Sequence, residues 1–237
     1  MKHYALALSA ILFAAGPASA ASGPYCGDVS DGWDHRTATE DMRDVVNRHH
    51  FNDDVQNGIK GQTGALAGSD LSYTLRKFPN HPRALEVLLR IAPRYQKGAI
   101  PGLVRPLECW FERAVRFAPD DAAMWGFYAR YNFMFGNDKQ GTEMLVKALE
   151  LDPDNPSFNY NYGLALTKVK KYDEALKYAH KAYVLGFPLP GLKQKLTNAG
   201  KWVEPPPLEE KPAAASAAAS AASAPEQNSA PATPTKP

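Results

Sequence analysis

The stretch DPDNPSFNYNYG, Asp152 to Gly163, gathers acid and amide oxygens as a calcium loop does. An EF-hand loop needs oxygen ligands at alternate positions, glycine at the sixth and a bidentate glutamate at the twelfth. Counted from Asp152, those two positions hold Ser157 and Gly163, and Pro153 and Pro156 interrupt the loop. The match fails. A second candidate, GIKGQTGALAGSD from Gly58 to Asp70, invites a phosphate-loop reading. That motif requires Lys followed by Ser or Thr after a strand, so that backbone amides point at the phosphates. Here Lys60 precedes Gly61 and no strand signal comes before it. The segment is expected to be a flexible loop whose glycines let it fold over a neighbouring surface.

Histidines are few: beyond residue 20 they are His35, His49, His50, His81 and His180. Adjacent residues point to different faces of a helix, so His49 and His50 make a poor chelating pair. A zinc site would need His35 to join them, and the spacing does not suggest it. Haem-attachment and serine-nucleophile motifs are missing, and no nucleophile is paired with a positioned base. The residues point to no metal, no cofactor and no enzymatic activity.

The two cysteines, Cys26 and Cys109, lack the C-x-x-C spacing of a reactive pair. In an oxidising compartment a single pair has one connectivity, so a structural disulfide is expected. Closing a loop of that length is worth about 4 kcal/mol in the chain-entropy model. The first residues support that compartment. Lys2 precedes an apolar run from Ala5 to Ala15, and Ala18-Ser19-Ala20 supplies small residues for cleavage. This is the pattern of a secretory signal, with cleavage expected after Ala20, and the run is well short of the roughly 20 residues that span a bilayer. No stable membrane insertion is expected, and the location is read as periplasmic or secreted.

Net charge is +2, from 27 basic and 25 acidic residues, which gives no basis for nucleic acid or a strongly anionic membrane as partner. Residues 203–237 are dominated by alanine, proline and serine, too poor in large apolar groups to offset ordering entropy. They are expected to form a disordered tail. Residues 21–69 form an N-terminal extension, and 70–202 the main domain.

Within that domain prolines keep time. Pro79, Pro119, Pro153 and Pro188 are separated by 40, 34 and 35 residues, the period of a helix-turn-helix repeat. Between them the pattern is helical. Ala175, Tyr178, Ala179, Ala182 and Leu185 recur at spacings of three and four and define one buried stripe, with Lys177 and Lys181 off it in solvent.

These residues resemble the tetratricopeptide repeat family. The third unit carries Gly163, Tyr172, Ala175 and Ala182, the second Trp125, Ala129, Leu145, Ala148 and Pro153, and the first Leu85, Leu88, Phe111, Ala114 and Pro119. Gly141 stands where alanine is usual, and YQKGAIPGLVRP lengthens the first unit's turn. SDLSYTLRKFP is similar to a lone second helix of a degenerate unit, and LPGLKQKLTNAGKW to the polar helix that closes such arrays. The whole chain also resembles a group of small exported bacterial repeat proteins with an N-terminal Cys-Gly segment, on YCGD, SDLSYTLRKFPNHPRAL and ECWFERAVRF. That likeness implies an order of elements and no activity.

The resemblance implies an all-α fold, a short antiparallel helix-pair solenoid with repeats at about 82–121, 122–155 and 156–189 and a cap at 190–202. It also implies that first helices line a concave face which binds extended peptides or partner helices. Carried over, that face holds Arg83, Glu86 and Arg90, then Arg130, Phe133 and Met134, then Tyr160, Asn161, Leu164 and Lys168. The arginines there could offer bidentate forks to carboxylates. The Lys/Asn clamp of chaperone-binding members is replaced by Glu86, Arg90 and Phe127. The expected role is a non-catalytic interaction scaffold whose partner is a protein of an envelope assembly. The alternative is a carbohydrate-binding or polysaccharide-processing envelope protein, given 11 Tyr, 4 Trp and 10 Phe for sugar stacking.

Overall fold

Three turns of one construction set the helix spacing. In each, a backbone bond closes four residues with proline second: His81 N to Phe78 O (3.0 Å), Asp121 N to Ala118 O (3.1 Å) and Asn155 N to Asp152 O (3.4 Å). Proline fixes φ at that second position, and the fourth residue then becomes the N-cap of the next helix. The His81 ring accepts from Ala84 N, Asp121 from Ala123 N, and Asn155 from Ser157 N and Phe158 N. Asn155 therefore caps the helix that follows the Asp152 stretch.

The structure, a computed structural model, describes residues 26–64 and 66–205. The expected signal peptide and the tail from residue 206 onward lie outside these. The chain divides into residues 1–202 and residues 203–237, and the described part of the second, 203–205, has no regular secondary structure. Among the described residues there are ten α-helices and no strand: α1 Glu40–His50, α2 Asp53–Asn57, α3 Ala67–Lys77, α4 Pro82–Ile91, α5 Leu107–Phe117, α6 Ala122–Met134, α7 Asp138–Leu151, α8 Pro156–Lys168, α9 Tyr172–Val184 and α10 Gly191–Asn198. The fold is an all-α helix-pair solenoid, with α4/α5, α6/α7 and α8/α9 as pairs and α10 closing it. No helix among the described residues is long and apolar enough to cross a membrane.

Helices α6, α8, α9 and α10 end alike. A residue in the left-handed region lets the next amide reach back five residues, as in Lys171 N to Leu166 O (3.0 Å) and Asn137 N to Asn132 O (2.9 Å). Glycine holds that position in three cases, but after α8 it is Lys170, at φ 60°. The same device ends α9 at Val184, so Leu185, expected on the buried stripe, lies outside the helix and is 38% exposed. Its companions Ala175, Ala179 and Ala182 are fully buried, and Tyr178 is half-buried with its ring edge against Tyr162.

The main core runs from the N-terminal segment into the second pair. Phe51 and Val55 join Leu71, Leu75, Leu85, Leu88, Trp110 and Phe111 in one cluster. Helix α3 is not alone, because α1 packs against it and α2 packs against both α3 and α4. A second cluster, around Tyr160, Leu166, Leu192 and Leu196, fastens the cap. Fully burying two leucines is worth about 3–6 kcal/mol, enough to hold a helix of this length in place.

Two features anchor the N-terminal segment. The first is a strap, residues 26–38. Cys26 is disulfide-bonded to Cys109 of α5, and three arginines near that bond hold the strap's carbonyls. Arg105 donates to Cys26 O (3.0 Å), Arg113 to Cys26 O (3.2 Å) and Asp28 O, and Arg116 to Gly27 O (2.6 Å). Gly27 sits at φ 73°, a left-handed backbone that side chains rarely adopt, so the glycine after Cys26 is a conformational requirement of the strap. Farther along, Trp33 N donates to Lys77 O, and Asn80 and Asp120 of the proline turns bind Asp34 and Arg36.

The second anchor is Asp70. Its fully buried carboxylate accepts from Gln62 N (2.6 Å), Thr63 N (3.1 Å) and Thr63 Oγ1 (2.6 Å), and lies 2.8 Å from His50 Nδ1. Burial alone would raise its pKa, but these bonds hold it below the ordinary carboxylate value. The glycine-rich segment expected to be flexible is thus fastened to a carboxylate at the start of α3.

Candidate functional site

The first helices of the pairs, α4, α6 and α8, share one face, and between α6 and α8 it sinks into a cavity of ≈ 260 Å³. Gly126, Ala129 and Leu145 are among its floor residues, and Phe127, Phe133 and Phe158 among its walls. Close approach makes this possible: a Cβ on Gly126 would lie 2.5 Å from the Phe158 ring. The polar groups at the rim are Glu86, Arg130, Asn155, Ser157 and Asn161. Arg130 is exposed, its guanidinium 6.0 Å from the Phe127 ring centre, and Asn161 is oriented by donating to Ser157 O (2.8 Å). An apolar floor with convergent donors and one acid suits a side chain inserted from a segment whose backbone meets the rim.

Toward the first pair the face is not open. Arg83, Glu86 and Arg90 of α4 share a second cavity, ≈ 320 Å³, with Asp53, Gln56 and Asn57 of α2. Arg90 donates to Gln56 O, and Arg94 to Gly58 O at 3.1 Å. The chain's own α2 therefore stands over α4, and part of the Arg90 fork is already occupied. Glu86 lines both cavities and joins them.

The remaining expected groove residues divide. Arg130, Phe133, Asn161 and Glu86 line the α6/α8 cavity. Tyr160 does not: it is buried and stacks on Phe187 at 4.1 Å, inside the core beneath the cap. Leu164 packs on the same core. Lys168 forms an ion pair with Asp138 (2.7 Å) and sits 5.6 Å from the Phe133 ring, linking α8 to the start of α7. Met134, exposed at the end of α6, lines neither cavity. Phe127, named from the sequence only at a clamp position, and Phe158, which was missed, both line the cavity; they precede Arg130 and Asn161 by three and so share their helix faces. Much of the aromatic area counted for sugar stacking is consumed internally, since Phe51, Phe78, Trp110 and Phe111 are fully buried.

The zinc arrangement does not assemble. His35 packs on His81 at 4.3 Å, His50 stacks on Tyr73 at 3.7 Å beside Asp70, and His49 is exposed. His81 is held neutral, its pKa pushed down to about 3 by burial and by neighbouring His35.

This geometry defines an array of antiparallel helix pairs with a lined inner face. The family model described as "Tetratricopeptide repeat" matches residues 144–177, from the latter half of α7 into α9. No curated protein matches the chain. Among solved structures it is similar to three of MamA. The MamA RS-1 ArsTM double mutant is 23% identical, with 50% of this chain and 64% of that one covered, at a TM-score of 0.40. A MamA crystal structure at 18% identity covers 56% and 77%, with a TM-score of 0.42. Another, at 17%, covers 67% and 78%, with a TM-score of 0.45. The chain thus spans just under two thirds of the first of these.

Proposed function

We propose that this chain is a non-catalytic scaffold that holds a peptide or partner helix on its concave face, in the cavity between α6 and α8. The observation that carries this reading is the phenylalanine-walled cavity with Arg130 and Asn161 at its rim. The tetratricopeptide match supports protein–protein interaction as the class of activity. Because α2 covers α4, the partner's register starts at α6, and an apolar anchor residue fills the pocket under Phe158. A carboxylate near that anchor answers Arg130, whose planar fork takes it through two bonds.

The disulfide fits an oxidising compartment, and with the signal-like first residues it supports an exported scaffold serving an envelope assembly. Selection of displayed peptides against the purified chain tests the site. Enriched peptides should share an apolar anchor with a nearby acid, and Arg130→Glu with Asn161→Ala should weaken them at least tenfold. Selected peptides that bind both forms equally would remove the groove from the proposal.

A further inference from the structure

The net charge of +2 conceals a segregation. Residues 156–202 carry eight lysines and no arginine against only Asp173 and Glu174, a net of +6, whereas residues 26–155 carry sixteen basic and nineteen acidic groups. Pairing does not cancel the surplus. Lys168 and Lys181 meet Asp138 and Asp154 across the repeat boundary at 2.7 and 2.9 Å, and Lys171 lies 3.8 Å from Glu174. Setting Asp138 and Asp154 against the total still leaves +4. Lys170, Lys177, Lys195 and Lys201 are exposed with no ion pair among the described residues.

Part of this charge forms a continuous surface with apolar groups. Lys177 and Lys181 stand one turn apart on α9. Between them His180 meets the Trp202 ring at 5.2 Å, and Lys193 of α10 lies over the same ring at 4.9 Å. The Tyr183 hydroxyl accepts from Lys193 N and donates to Leu189 O, joining α10 to the loop after α9. At that edge Val184 is 52% exposed and Leu189 56% exposed. Lys193 thus lies over a half-buried tryptophan, Lys177 and Lys181 flank the His180 that meets the same ring, and an aliphatic tip follows at the end of α9.

This combination selects its partner's chemistry. Arginine forks read fixed carboxylates, whereas lysine is a compact, strongly hydrated point charge that suits many mobile anions at once. Tryptophan and exposed aliphatic groups are costly beside bulk water but suited to the boundary between headgroups and acyl chains. An acidic polypeptide would satisfy the lysines and leave the aliphatic tip in water. We propose that the outer face of α9 with α10 is a peripheral docking surface for anionic phospholipid headgroups, with Val184 and Leu189 entering the interface. The surface is separate from the α6/α8 cavity, so a scaffold held this way keeps its groove available.

Flotation of the purified chain with vesicles tests this. Equimolar phosphatidylglycerol and phosphatidylcholine should bind it and phosphatidylcholine alone should not, with binding lost in about 1 M salt, where screening acts within about 3 Å. Replacing Lys177 and Lys195 with glutamine should lower partitioning about thirtyfold, at roughly fivefold for each lysine near an anionic surface. Leu189→Ser should weaken it further at constant charge. Arg130→Glu in the groove should leave it unchanged, which separates failure here from failure of the groove. Unchanged melting temperatures establish that the variants fold. Equal binding to both vesicle types, or indifference to the lysine substitutions, overturns the proposal. Capture by polyglutamate with no vesicle binding overturns it too, assigning the surface to an acidic protein.

Discussion

Reducing the Cys26–Cys109 bond should lower the melting temperature by roughly 9–18 °C. The bond joins residues 83 apart, and the loop-closure entropy it removes from the unfolded chain corresponds to about 4.5 kcal/mol at 25 °C. For a domain of this size each kcal/mol moves the midpoint by about 2–4 °C. The full loss requires the strap to stay docked after reduction. The arginine bonds to Cys26 O and Gly27 O, the Trp33–Lys77 bond and the Arg36–Asp120 pair favour that outcome. If they cannot hold it, the strap detaches first and the loss is limited to its docking free energy. Thermal unfolding followed by circular dichroism, with and without a phosphine reductant, measures the total. Hydrogen exchange at the Trp33 amide distinguishes the two routes. Oxidised and reduced protein melting within about 2 °C of each other, a difference below one kcal/mol, would refute the reasoning.

Acid should weaken the fold through His81. Its folded pKa, about 3, lies below the ordinary 6.5, so its contribution is complete above that value and drains as pH falls from 6.5 toward 3. Urea midpoints should register about 2 kcal/mol lost between pH 6.5 and 5. His81→Asn, which puts a capping oxygen in place of the ring nitrogen that accepts from Ala84 N, should lose visibly less; a slope as steep in that variant would acquit the ring. His35, also pushed down chiefly by burial, leaves a residual slope of the same sign. Asp70→Asn presents an amide where Gln62 and Thr63 donate, and should cost about 3 kcal/mol. Proteolysis should then begin within residues 58–66; cleavage elsewhere first would show that the carboxylate does not fasten this loop. Lys170→Gly removes a side chain from the left-handed region and should stabilise by about 1 kcal/mol in chemical denaturation.

The helix pairs were legible because each unit repeats one local solution. Proline closes the turn, the residue two places later caps a helix, and small residues let the next helix approach. The groove was less legible. Helix α8 packs against α7, α9 and α10, so aromatic and amide residues occur around much of its circumference. Sequence spacing alone could not tell buried Tyr160 from cavity-lining Phe158. Asp70 was opaque for another reason. Its partners come from His50, Gln62 and Thr63, and only the fold brings those together. The strap's arginines look like ordinary surface charges until the Cys26 backbone lies against them. Charge segregation, by contrast, was present in the sequence and hidden by taking one sum over the whole chain.

The strap also sets an order of events. A chain is made from its amino end, so residues 26–38 emerge early, yet apart from Arg43 the partners that hold them come much later: Lys77, Asn80, Arg105, Cys109, Arg113, Arg116, Asp120 and Asp121. The earliest segment cannot settle until α5 and the turn beyond it have been delivered. Contacts so distant along the chain form slowly, whereas α6 to α10 can close on near neighbours. The last five helices to be made can therefore be in place before the first segment is locked, and until then Cys26 stays open to oxidation by a wrong partner.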